Sequence, residues 1–177
     1  SGGNGGAISQ SSSLASHNLN ITNCTFTNNT ASGAGGAVSY NGLGNVAISG
    51  CLFSGNKTTI AGGDGGAIST SGGGSGGTYL IEKNTFLNNQ VLNPSGHAGA
   101  IINTNGTLTV RYNRFIGNTC ANTSNPPLAN IIAQTGGATV NTTNADNNWW
   151  GVNTGPGAND ATALAAGGTM TVTKWLQ

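Results

Sequence analysis

Gly35-Gly36-Ala37-Val38, then Val46-Ala47-Ile48, Cys51-Leu52-Phe53 and Asn56, is the stretch that decides the fold. It holds a small-residue corner ending in an aliphatic side chain, a short alternating run, and a Phe with Asn three residues on. Gly5-Gly6-Ala7-Ile8, Gly65-Gly66-Ala67-Ile68 and the degenerate Ala98-Gly99-Ala100-Ile101 repeat the corner, and Ile131 continues the series without its glycines. The aliphatic positions 8, 38, 68, 101 and 131 lie 30, 30, 33 and 30 residues apart. Phe26, Phe53, Phe86 and Phe115 are followed three residues later by Asn29, Asn56, Asn89 and Asn118. With 26 Asn in 177 residues, chance gives all four pairs with a probability of about 0.0005. Ile21, Ile48, Ile81 and Val110 stand five residues before each Phe. Two motifs locked in phase mark an internal repeat of roughly 30 residues.

Leu19-x-Ile21, Val46-x-Ile48, Tyr79-x-Ile81 and Leu108-x-Val110 alternate as strands with one buried face do. Each run is bounded by Gly, Asn or Ser, which make turns. One such unit cannot enclose a core. Stacked coils can, because each position then lies about 4.8 Å above its counterpart in the previous coil. The phenylalanines then form an aromatic stack, continued by Trp149 in the last full coil. Ile8, Val38, Ile68, Ile101 and Ile131 form an aliphatic stack. Asn29, Asn56, Asn89 and Asn118 form an amide ladder, each side chain both donating and accepting. The fold expected is all-β: a right-handed parallel β-helix with about 30 residues and three short strands per coil. Residues 1–177 form one domain, with coils near 1–30, 31–60, 61–93, 94–123 and 124–155 and a closing segment at 156–177. Gly72 to Gly77 reads as a loop bulging from one corner.

Composition agrees. Charged residues are only 5% of the chain, the net charge is +1, and Gly numbers 31. Five Lys and Arg are too few for a nucleic-acid surface, and no apolar run reaches the roughly 18 residues of a membrane-spanning helix. Gly, Asn, Ser and Thr are poor helix-interior residues.

The alternation of Gly-Gly-Ala-Ile with Phe-x-x-Asn resembles the repeats of the chlamydial polymorphic outer-membrane proteins and related adhesin passengers. Asn147-Asn148-Trp149-Trp150-Gly151, Gly155-Pro156 and Lys174-Trp175-Leu176 are similar to a segment that closes many bacterial and archaeal parallel β-helices. The resemblance implies a right-handed β-helix, extracellular or displayed at the cell surface, without catalysis. The chain departs from that pattern in carrying Lys174 where Pro is common, and in having no barrel or anchor after Gln177. Trp150, Trp175 and Leu176 read either as a lid over the last coil and a subunit contact, or as plain core.

Cys24 and Cys51 share a phase, two residues before their Phe. Stacking would bring their Cα atoms to about 4.8 Å, within disulfide range, so a bridge and a buried thiol stack both fit. Asn84 and Asn113 take that slot in later coils, and Cys120 is left without a partner.

Glycoside hydrolysis needs two carboxylates roughly 5–9.5 Å apart. Asp64, Glu82, Asp146 and Asp160 fall at different phases, and Lys57, Lys83, Arg111, Arg114 and Lys174 are scattered. Arg111, Arg114, His17 and His97 read as surface residues. A polysaccharide-active enzyme is therefore the weakest reading, with no catalytic, cofactor or metal residues expected. Two readings remain. One is a stiff structural or adhesive element of a surface or matrix, whose uncapped first coil pairs end to end with another copy as a filament. The other is a monomeric adhesin segment that binds a surface glycan or receptor.

Overall fold

The computed structural model describes residues 3–15, 17–60, 62–72, 77–122, 131–135, 141–163 and 168–177. The glycine-rich loop at 73–76 lies outside them. The chain winds into a β-solenoid, and every strand pairing is parallel. Consecutive strands in sequence lie in different sheets; each of the first four windings contributes one rung to each of four faces, and the later described strands extend only the first two.

The first sheet stacks Ile8–Ser12, Val38–Gly42, Ile68–Ser71, Ile101–Asn103, Ile132–Gln134 and Ala161–Ala163. The second stacks Leu19–Thr22, Val46–Ser49, Thr78–Glu82, Thr107–Arg111, Asn141–Asn144 and Gly168–Thr171. The third holds Thr25–Thr27, Leu52–Ser54, Thr85–Leu87 and Arg114–Ile116. Three strands per coil are expected from the sequence; four are found. The fourth is a ladder of two-residue strands, Thr30–Ala31, Lys57–Thr58, Gln90–Val91 and Thr119–Cys120, directly after the ladder Asn. Two residues are too few to carry a readable alternation.

The aromatic column is as expected through Phe115. Phe26, Phe53, Phe86 and Phe115 stack with centroids 4.9–5.0 Å apart and nearly parallel planes. The next ring is Trp150, 5.1 Å from Phe115, not Trp149. Trp149 pairs with Arg114, one residue off the column. The Cys/Asn slot explains the correction. Asn148 occupies it, accepting from Asn113 N–H at 2.9 Å, and the aromatic position is always two residues beyond that slot.

The aliphatic column is corrected in the same way. Ile8, Val38, Ile68 and Ile101 are in register, but Ile101 pairs with Ile132. Ile131 takes the place of Ala100, whose N–H bonds its carbonyl at 3.0 Å. Two adjacent isoleucines leave the phase open, and this coil is one residue longer than a count to Ile131 allows.

The turns have their own columns. Asn23, Gly50, Lys83, Tyr112 and Asn147 all have positive φ, as do Asn28, Gly55, Asn88 and Gly117. Asn and Gly enter this region most readily. The second glycine of each Gly-Gly-Ala corner answers a steric demand. A Cβ on Gly36 would lie 2.0 Å from Gly66 O, and one on Gly66 2.2 Å from Gly99 O. The windings pass too closely there for any side chain.

Candidate functional site

Three polar ladders run through the interior. In the expected one, Asn29 Nδ2 donates to Asn56 Oδ1 at 2.8 Å, Asn56 to Asn89 at 2.9 Å and Asn89 to Asn118 at 2.9 Å. Each backbone N–H of the first three donates to the same oxygen. The Nδ2 groups also reach back to Phe26 O, Phe53 O and Phe86 O. The amides of this ladder are thereby satisfied in a low-dielectric core, where an unpaired one is costly. Asn84, Asn113 and Asn148 form a second ladder, beginning at Cys51, whose N–H donates to Asn84 Oδ1 at 2.9 Å. The third was not legible in the repeat: Thr70 Oγ1 donates to Asn103 Oδ1 at 3.1 Å and Asn103 Nδ2 to Gln134 Oε1 at 3.0 Å. Its members change from coil to coil, so no recurring residue type announces it.

Cys24, Cys51 and Cys120 are free thiols. Cys24 N–H donates to Cys51 Sγ at 3.3 Å, so the sulfur acts as an acceptor in a ladder slot. Burial pushes the Cys51 thiol above its ordinary pKa, against the hydrogen bond from Cys24 N–H, which works to lower it. Burial likewise raises Cys120, whose Sγ–H donates to Gly96 O at 3.1 Å. Both are held protonated, the unreactive form.

The carboxylates serve separate structural partners. Asp64 Oδ1 accepts from His97 N–H at 2.7 Å and contacts His97 Nδ1 at 2.9 Å, giving His97 the partner that the sequence did not suggest. His17 Nδ1 meets Ser12 Oγ at 2.6 Å. Asp160 Oδ2 accepts from Gly157 N–H at 2.7 Å. Asp146 Oδ1 accepts from Thr173 N–H at 2.6 Å and Lys174 N–H at 3.1 Å. Partial desolvation works to raise the Asp146 pKa, but these donors, the Thr173 hydroxyl and the Lys174 charge together hold it below its usual value. Among the described residues, no three His, Cys, Asp or Glu side chains converge as a metal site would need.

The closing segment forms one more partial rung. Trp175 bridges to Asn148, Leu176 N–H donates to Asn148 O at 2.9 Å, and the Trp175 ring leaves room only for glycine at Gly155. Trp150 is buried, whereas Trp175 and Leu176 stay 39% and 40% exposed. The first two thus differ in role: Trp150 continues the core, and Trp175 ends the Cys/Asn column.

The basic residues are less scattered than the sequence suggests. Four of the five meet where the second sheet turns into the third. Glu82 pairs with Arg111 across one rung at 2.8 Å and lies 3.8 Å from Lys83. Lys83 and Tyr112 occupy one turn column, with Tyr112 N–H donating to Asn147 O and Asn147 N–H to Lys174 O. The Arg111 guanidinium lies 5.7 Å from the Tyr112 ring centre, and that of Arg114 covers the Trp149 ring at 4.7 Å. Trp149 Nε1–H reaches Asn153 Oδ1 at 3.3 Å. Trp149, expected inside, is therefore an outer-face aromatic under an arginine.

Compared with known families, residues 23–40 and 50–71 match the Chlamydia polymorphic membrane protein repeat. Both stretches span the third and fourth sheets of their coils. No curated protein and no solved structure matches the chain. With its parallel coils, the chain is a β-helix repeat protein similar to the polymorphic membrane protein and autotransporter type.

Proposed function

We propose that the chain is a non-catalytic surface adhesin-type rod that holds a binding face away from the cell on a stiff β-solenoid. The observation that carries this reading is the use of the interior. Aromatic, aliphatic and amide columns fill it from coil to coil, and each carboxylate serves a hydrogen bond or ion pair that holds the structure. Function then belongs to the outer faces, and the polymorphic membrane protein repeat matched at residues 23–40 and 50–71 fits a surface-displayed chain. Beads coated with the purified chain should adhere to cells or extracellular matrix above an albumin control. The same protein should leave acidic and neutral polysaccharides uncleaved. Absence of adhesion, or release of oligosaccharides, would refute the reading.

A second reading concerns assembly. The strands Ile8–Ser12, Leu19–Thr22, Thr25–Thr27 and Thr30–Ala31 are the outermost of their four sheets. Among the described residues, no strand pairs with the far side of Ile8–Ser12, Leu19–Thr22 or Thr25–Thr27. Ile8 and Leu19 are only half-buried there, and Phe26 is 8% exposed where Phe53 is fully covered. Such an edge is a template for another strand, and a net charge of +1 gives little repulsion between copies. Another copy stacking on this coil through a different surface would extend without closing. Fibres that lengthen with concentration, with a rise near one subunit length, are the expected result in negative-stain microscopy. Monodisperse short rods across a wide concentration range would exclude it.

A further inference from the structure

The turn between the second and third sheets spends conformational strain on side chains that the fold does not need. In its column, Asn23, Gly50 and Asn147 suit positive φ, but Lys83 (φ 58) and Tyr112 (φ 56) do not. Neither is compensated by burial: the Lys83 side chain is 68% exposed and Tyr112 is 47% exposed. Strain held at an exposed position points to a use for the side chain itself.

Charge is concentrated at the same place. Lys83, Arg111, Arg114 and Lys174 against Glu82 and Asp146 give 4 − 2 = +2 on this corner. The rest of the chain, Lys57 against Asp64 and Asp160, gives 1 − 2 = −1. Two aromatic faces, Tyr112 and Trp149, lie beside the guanidinium groups of Arg111 and Arg114. Arginine offers carboxylate and sulfate groups a planar fork of donors. An aromatic face beside it can cover the apolar face of a ring while the ring's polar edge stays wet.

We propose that this corner binds an acidic polysaccharide. Its sugar rings lie against Tyr112, and its carboxylate or sulfate groups meet Lys83, Arg111 and Arg114, the last held over the Trp149 ring. The inference rests on the surface-adhesin reading and names the ligand class of that surface. The polymer runs along the rod axis, because Lys83 and Tyr112 stand on successive rungs about 4.8 Å apart, a step comparable to one sugar unit. A nucleic acid fits less well, since four cations offset by two carboxylates are a small footprint for a phosphate backbone.

The test measures binding of the whole chain to immobilised hyaluronan, heparin, dextran and oligothymidylate over a salt series. The comparison is the double variant Lys83→Asn, Tyr112→Asn. Asn is at ease at positive φ, so the variant should keep or raise the melting temperature while losing the ammonium and the ring. The expected result is salt-sensitive binding to hyaluronan or heparin, none to dextran, and binding about tenfold weaker in the variant. Unchanged affinity in the folded variant, no binding to either acidic glycan, or oligothymidylate bound as tightly would overturn the proposal. Cell adhesion of coated beads separates the two readings. If wild-type and variant beads adhere alike, the adhesin reading stands and this site falls. If no beads adhere while glycan binding follows the variant, the reverse holds.

Discussion

Gly66 shows how a single atom can govern a coil. Its column reads Gly6, Gly36, Gly66 and Gly99; a Cβ on the first three would lie 2.0–2.2 Å from the carbonyl oxygen of the glycine one winding on, and one on Gly99 2.5 Å from the Thr119 backbone. Backbone cannot step aside as a side-chain tip can, so adding a methyl group separates two coils. Gly66→Ala should cost about 3 kcal/mol in urea unfolding, at the upper end of ordinary overpacking. The first glycine of the corner behaves differently. Its crowding comes from its own turn, where a Cβ on Gly35 would lie 2.2 Å from Val38 O, and Ala98 takes the place at φ 60 in the fourth coil. The sequence motif merges these two roles, and the structure separates them.

At the scale of the element, the amide ladder joins windings that share little apolar contact at the corners. Asn89 is fully buried and makes two donations from Nδ2, while its Oδ1 accepts two hydrogens from Asn56. Asn89→Ala strands groups on both sides, and a loss of about 3–5 kcal/mol is expected by chemical denaturation. Asp146 clamps the last partial rung at Thr173 and Lys174. Its folded pKa is depressed, so its contribution is complete above the unfolded value near 3.8 and fades as pH falls through the folded value. Wild type should therefore lose stability relative to Asp146→Asn as pH falls through and below 3.8, with the gap fully open at pH 6. Much of this was legible beforehand. Four phenylalanines and four asparagines in fixed phase gave the coil, its inner columns and its main ladder. The errors cluster after Phe115, where a longer coil shifts the count by one. There Trp149 for Trp150 and Ile131 for Ile132 follow from counting forward from the motif rather than from the Cys/Asn slot that ends at Asn148. The basic corner escaped notice for another reason. Lys83, the Arg111 and Arg114 pair, and Lys174 are far apart in sequence, and only coil register brings them to one edge.

For the whole molecule, cohesion comes from stacking and buried hydrogen bonds, with very little from surface charge. The described ion pairs are few and at least partly exposed: Lys83–Glu82, Arg111–Glu82 and His97–Asp64. Exposed pairs contribute little and are screened by salt. The melting temperature should accordingly change by less than about 3 °C between 0.05 and 0.5 M NaCl, as measured by circular dichroism. A larger drop would mean that charge holds the coils together. The amide ladders add a directional property, for along each of them the side-chain amides donate toward higher-numbered coils and accept from lower-numbered ones. The rod is in that sense an arrow. The main ladder opens on the oxygen of Asn29 and closes on the Nδ2 of Asn118, so reversing the order of the coils would set donors where acceptors now stand.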